Sequence, residues 1–367
     1  MTRTQESTPG RRWVRLTIQL GMFGVGLVLL YWVVRQALDE RNQGAIRSIR
    51  SASSADIALL LAMTLGSLLI NGGIFWACIR PVRNLRMIDV QAVNAVGTLL
   101  ANPPGKLSIV FRVFMHHRRD HIPLLTIAAW FVAVAIGISA ATNPIFFASW
   151  YLKELDATWA AVVVAGLGAS YLAVLGIAKT FAGEAGLARF RRTVSILLLG
   201  RLSGFVAGPA LEKVHAGFDM LSHPGWLFVQ MALRSADLFL LGGRLYLCAK
   251  IAGTHVSFND ALVYGAIRFA IATLLPSGAM GSQEAGTTWI ARLRQTAASE
   301  QFEVVLVFML VTEMVVYSVA TALSLWWLKP WRIAGESRAA EPESEAPKSL
   351  AASPAHPMES PDAVHCD

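Results

Sequence analysis

The sequence predicts an all-α, polytopic helical membrane protein, and three observations predict it. Of 367 residues, 54% are hydrophobic and only 15% are charged, against about 25% charged in soluble domains. Mean hydropathy is +0.50. Several nearly uncharged runs of roughly 20 residues are each long enough to cross a hydrocarbon core of about 30 Å, where only helices and closed barrels satisfy their own backbone. Soluble Rossmann, barrel and DNA-binding classes are excluded, and no nucleic-acid partner is expected.

About eight hydrophobic segments are expected. Residues 16–34 follow Arg3, Arg11, Arg12 and Arg15; the run is long for a signal peptide and lacks a small-residue cleavage site, so it reads as a retained span. Residues 57–79 end in Arg80, Arg83 and Arg86, a cluster expected on the cytoplasmic side. Residues 122–152 carry no charge but exceed one straight span, and Asn143-Pro144 is the expected helix end, followed by an interfacial piece with Trp150 and Tyr151. Further runs are 157–178, 193–211 with Arg201 inside, 225–249 with three charges, 261–283 with Arg268, and 304–328 with Glu313. Lys and Arg counts favour a cytoplasmic N-terminus, and Lys329 with Arg332 favour a cytoplasmic C-terminus.

Three regions follow: a basic cytoplasmic N-terminus (1–13), a transmembrane domain (14–332) and a tail (333–367). The tail is rich in Pro, Ser, Ala and Glu and is expected to be disordered. The net charge of +8 conceals a split, because the tail is acidic and the membrane body strongly basic, which suits anionic lipid. Cys78, Cys248 and Cys366 are far apart with no CxxC, so neither a disulfide framework nor a zinc site is expected.

Two segments break early. Residues 90–100 begin as a helix and meet Asn102-Pro103-Pro104-Gly105-Lys106; residues 261–275 meet Pro276-Ser277-Gly278 and continue through Gly281 to Glu284. Thr98-Leu99-Leu100 precedes the first break and Thr273-Leu274-Leu275 the second, which suggests an internal pseudo-repeat. Proline removes a donor and glycine permits a sharp turn, so each break frees backbone groups that lipid cannot satisfy. Such backbone belongs inside protein or beside a water-filled cavity, and paired broken segments point to a transporter's binding site. The alternative is two helix ends at the membrane surface. The helix after each break offers an N-terminal anion site, with Ser108 and Ser282 as expected caps. Lys106 and Arg112 add positive charge at the first; Glu284 at the second would pair with an arginine, carry a proton or cap backbone donors.

Charged residues at membrane depth are costly and default to functional candidates. Arg234, Asp237 and Arg244 share one helix face; Arg234 and Asp237 either form an ion pair that holds helices together or serve the functional site, and Arg244 is expected to snorkel. Arg201, Arg268 and Glu313 need partners from other helices. The sum, with Glu284, is a slight cationic surplus that favours an anionic ligand. Gly204 and Gly208 fit close helix packing. No Walker A loop, Rossmann fingerprint, HExxH or nucleophile elbow occurs, so no catalytic residue, metal or cofactor is assigned. His116, His117 and His121 beside Arg118, Arg119 and Asp120 read as a solvated juxtamembrane face rather than a metal site. Asp39-Glu40 reads as surface rather than a glycosyltransferase centre.

At this point NPPGKLSIVFR resembles the N-x-P-G-[RK]-x-[GS]…R motif, and LLPSGAMGSQEAG the P-x-G-x-x-G-x-x-E motif, of the lysylphosphatidylglycerol synthase transmembrane-region family. The similarity runs from about residue 14 to 330. It implies a flippase-like bundle of the bacterial inner membrane that translocates or handles anionic or glycosylated envelope lipids. Carried over by motif, the binding positions are Asn102, Pro104, Gly105, Lys106 and Arg112, then Pro276, Gly278, Gly281 and Glu284; Arg234, Asp237 and Arg268 join them as buried charges. Where the family has an acidic residue after the first glycine, this chain has Ser108 or Ile109. The synthase's soluble aminoacyl-transferase domain has no counterpart after Trp331, so lysyl transfer is not expected. The alternative class is an accessory or enzymatic subunit of hopanoid or glycolipid synthesis that binds lipid without moving it.

Overall fold

The computed structural model describes residues 9–102, 107–197, 209–274, 281–294 and 301–330. Met1–Leu328 forms one compact unit, and a second begins at Lys329. The expected tail (333–367), Arg201, Gly204 and Gly208 lie outside the described residues. Every described element is a helix: α1 (Pro9–Ala37), α2 (Gln43–Arg50), α3 (Ser54–Ile79), α4 (Met87–Leu99), α5 (Leu107–Arg118), α6 (Leu124–Tyr151), α7 (Ala157–Phe181), α8 (Gly183–Leu197), α9 (Pro209–Leu221), α10 (Pro224–Ile251), α11 (Phe258–Leu274), α12 (Ser282–Leu293) and α13 (Phe302–Leu328).

Four of these, α3, α6, α7 and α13, are long and apolar enough to cross a membrane. Only 6% of the most apolar window of α7 is covered by the rest of the chain. Side chains such as Val164, Leu172 and Ile177 therefore face outward, which in water would forfeit roughly 1.5–3 kcal/mol each. Lipid is the solvent that makes this surface stable. The ends are capped locally: the Ser53 hydroxyl accepts the Asp56 N–H at α3, and the Asp156 carboxylate accepts the Trp159 N–H at α7.

The helix expected to end at Asn143-Pro144 does not end there, because α6 runs unbroken to Tyr151. Pro144 packs against Gly166 of α7, where a Cβ would come within 2.9 Å of the proline ring. In lipid, neighbouring helices let a helix continue through proline. At 1.5 Å per residue α6 is about 42 Å long, so Trp150 and Tyr151 end the span itself and need no separate interfacial piece.

The middle of the run 193–211, with Arg201, lies outside the described residues. The helices at its two ends lie side by side: Arg191 pairs with Glu212 at 2.8 Å, the Gly183 N–H donates to Asp219 at 2.9 Å, and Phe181 and Phe190 pack on Phe218. Further on, α10 starts beside the middle of α7, where the Tyr171 hydroxyl donates to the Pro224 carbonyl. There too Trp226 meets Trp76, near the end of α3. Consequently α10 runs antiparallel to α3, with Gly73 facing Leu233, Gly66 facing Leu240 and Gly243 facing Met63. The core divides into three clusters: one around α3, α4 and α6 that includes Trp130, a second around α10, α11 and α13 that includes Tyr264 and Phe302, and a smaller third of Ile145, Trp159, Leu238 and Leu262 that joins α6, α7, α10 and α11.

Candidate functional site

Both broken segments fold as hairpins that enter the bundle and turn back. In the first, α4 leans on α3: the side-chain amide of Gln91 donates to the Leu69 carbonyl at 2.5 Å and that of Asn94 to Leu68 at 3.3 Å. Leu68 is near the middle of α3, so the Asn94 contact lies at mid-depth and not at a surface. Asn102 satisfies the frayed end of α4, donating to the carbonyls of Thr98 and Leu99 at 3.3 Å each. Pro104, Gly105 and Lys106 lie outside the described residues, as do Pro276 and Gly278 of the second break.

From α5, Arg112 crosses back over α4. Its Nη2 donates to the Asn94 side-chain oxygen at 2.8 Å, and its guanidinium lies 4.5 Å from the Phe75 ring centroid. Gly97 makes this crossing possible, since a Cβ there would sit 2.3 Å from Arg112 Nε. The Nε itself is buried without an acceptor. No carboxylate lies within ion-pair distance of Arg112 among the described residues.

The second break is built differently. Gly281, at φ +81°, occupies the cap position of α12 in place of Ser282, which becomes the first helical residue. The Gly281 N–H donates to Glu284 Oε2 at 2.7 Å, and Glu284 Oε1 pairs with Arg268 at 3.0 Å. Glu284 therefore does two of the three things its type allows: it caps the backbone and pairs with an arginine. The N-terminal anion site of α12 is filled by the chain's own carboxylate. A side chain at 281 would also strike Gly26 of α1, whose carbonyl would lie 2.1 Å from the new Cβ.

From Glu284 an ion-pair chain continues inward. Arg268 donates to Glu313 at 2.7 Å, and the other Glu313 oxygen takes Arg244. Arg244 is 1% exposed, so it does not snorkel; a carboxylate on α13 in the same layer holds it inside. On the same α10 face, Arg234 pairs with Asp237, donates to the Thr142 hydroxyl at 3.0 Å and stacks 3.7 Å from the Phe269 centroid, while Asp237 accepts from Ser67. Three arginines and three carboxylates neutralise one another. The expected cationic surplus included Arg201, which lies outside the described residues; among the described residues Arg112, partly buried and with its Nε enclosed, has no carboxylate partner.

The histidine cluster is less solvated than expected. His116 is buried against Trp130 and contacts Asp120 at 2.7 Å, and His117 contacts the Ile122 carbonyl at 2.9 Å. Packing on Trp130 draws this segment under α6. Among the described residues, no group of three His, Cys, Asp or Glu could hold a metal ion. Sequence reasoning missed Asn94, Gly97 and Phe75, which position Arg112; the i, i+3 spacing of Asn94 and Gly97 was the signal for a polar, open patch on α4.

Compared with protein-family models, curated proteins and solved structures, the chain matches none.

Proposed function

We propose that this chain is a flippase-like integral protein of the bacterial inner membrane that binds and moves an anionic or glycosylated envelope lipid, as its two motifs suggest by their resemblance to the lysylphosphatidylglycerol synthase transmembrane region. One observation carries the reading: Arg112 holds a guanidinium at a mid-depth hairpin, bonded only to a neutral amide and an aromatic face. A charge in low dielectric demands a counter-ion, and every other deep arginine described has a carboxylate. A lipid phosphate would complete Arg112, which a guanidinium recognises by paired N–H donors. The paired charges Arg234, Asp237, Arg244, Arg268, Glu284 and Glu313 brace the helices around that site.

The test is binding of labelled phosphatidylglycerol to purified protein, compared with phosphatidylcholine and with Arg112→Gln. Preference for the anionic lipid, weakened about tenfold or more by the substitution, is the expected result for losing a charged hydrogen bond of about 1.5–3 kcal/mol. Equal binding of both lipids by both proteins overturns the reading.

A further inference from the structure

The two hairpins belong to a larger correspondence. Gly72, Gly73 and Cys78 of α3 recur as Gly242, Gly243 and Cys248 of α10, each 170 positions on. Each of these helices is followed by a hairpin (α4–α5, α11–α12) and then by a long helix (α6, α13). Asp is the third residue of both α4 and α11: Asp89 and Asp260. Each pairs with the arginine that directly follows the hairpin's second helix, Asp89 with Arg119 at 2.8 Å and Asp260 with Arg294 at 3.1 Å. Each clasp also receives a tryptophan from the final helix of the other half. Trp327 Nε1 donates to Asp89 at 3.0 Å, and the Arg294 guanidinium lies 4.8 Å from the Trp150 centroid.

The halves are exchanged throughout. The first hairpin packs along α13, where the Thr321 hydroxyl donates to the Ala95 carbonyl at 3.3 Å; the second packs along α6, where Asn259 donates to the carbonyls of Ser149 and Leu152 at 2.9 and 2.8 Å. Because α3 and α10 are equivalent yet antiparallel, the relation between the halves is a two-fold axis across the bundle, passing near Leu68 and Leu238. The clasp at the end of α3 and the clasp at the end of α10 therefore lie on opposite faces of the membrane. Inverted repeats around broken segments are the architecture in which one half rocks against the other to expose a fixed site alternately.

We propose that residues of α3–α6 and α10–α13 form an inverted repeat and that the Asp89–Arg119–Trp327 and Asp260–Arg294–Trp150 clasps are its paired gates, each closing one membrane face over the hairpin site. This rests on the transport reading above and adds to it which contacts must part for the lipid to enter and to leave. All four charged members are partly exposed, so each clasp is worth little more than a surface ion pair and can open without unfolding the bundle.

Nature supplies a reporter under each gate. Cys78 and Cys248 are both buried, Cys78 in the core cluster that holds Val90, next to Asp89, and Cys248 in the one that holds Ala261, next to Asp260. Full-length protein carrying Cys366→Ser is reconstituted in vesicles and treated with a membrane-impermeant maleimide from either face. Asp89→Asn should speed labelling of Cys78 at least about fivefold, the change that about 1 kcal/mol gives, from one face only. Asp260→Asn should do the same for Cys248 from the opposite face only. The swap Asp89→Arg with Arg119→Asp should restore slow labelling. Arg119→Lys and Arg294→Lys serve in the same way if either Asn variant fails to accumulate. Labelling of both cysteines from one face, unchanged rates in both variants, or exposure of both cysteines by either variant overturns the proposal. Cysteine labelling does not depend on lipid movement, so one-sided labelling in a protein that moves no lipid would sink the transport reading while supporting the clasps.

Discussion

Glu313 is the residue on which the buried polar chain turns. It accepts from Arg268 through one oxygen and from Arg244 through the other, and both guanidiniums are almost wholly inside the bundle. Glu313→Leu leaves Arg244 with no carboxylate and Arg268 with Glu284 alone. Removing one member of a buried ion pair costs about 3–5 kcal/mol, because the remaining charge stays desolvated. The double variant Arg244→Leu with Glu313→Leu removes both members and keeps the Arg268–Glu284 pair at 3.0 Å. Apolar replacement of a whole buried pair is often neutral or stabilising by about 1–4 kcal/mol, so the double variant should recover most of the loss. Reversible unfolding in mixed micelles measures both. A Glu313→Leu variant within about 1 kcal/mol of the parent, or a double variant less stable than the single, would refute the reasoning.

Gly281→Ala should cost about 2 kcal/mol or more, since φ is +81° and the new Cβ meets the Gly26 carbonyl; thermal melting in detergent measures it. Gly97→Ala should dislodge Arg112 and reproduce the lipid-binding defect of Arg112→Gln while leaving Glu313-dependent stability intact, which the same titration reads. For Asp89, burial raises the carboxyl, but hydrogen bonds from Trp327 and Arg119 and the nearby Arg119 and Arg86 charges outweigh it and hold the carboxyl below the ordinary aspartate range. A depressed folded value contributes stability above the unfolded value of about 3.9 and loses it as pH falls through the folded one. The stability difference between parent and Asp89→Asn should therefore be full near pH 7, begin to fall as pH drops towards about 4, and be lost only below the depressed folded value.

Continuous apolar runs made α3, α7 and α13 legible directly, because spanning length is set by bilayer thickness. The pair Arg234–Asp237 was equally legible from its i, i+3 spacing, and Glu284 from its place three residues after Gly281. The ion-pair chain was not, since Arg244, Arg268 and Glu313 are brought together by contacts 45 and 69 residues apart. Hydropathy also did not show that the helices flanking 198–208 lie side by side, as the pairing of Arg191 with Glu212 does. Pro144 misled for a related reason: its meaning depends on Gly166 of another helix. The short Thr-Leu-Leu match was the visible edge of the larger duplication, whose sequence trace survives at the glycines and cysteines of α3 and α10 and at the clasp aspartates.

The most direct test of the transport reading is the leaflet distribution of fluorescent phosphatidylglycerol in vesicles containing the purified protein, followed by reductive quenching from outside. The account predicts a fluorescent inner pool that becomes quenchable at a rate dependent on Arg112 and on lipid charge. An inner pool that stays protected with the parent protein, as in protein-free vesicles, would contradict it.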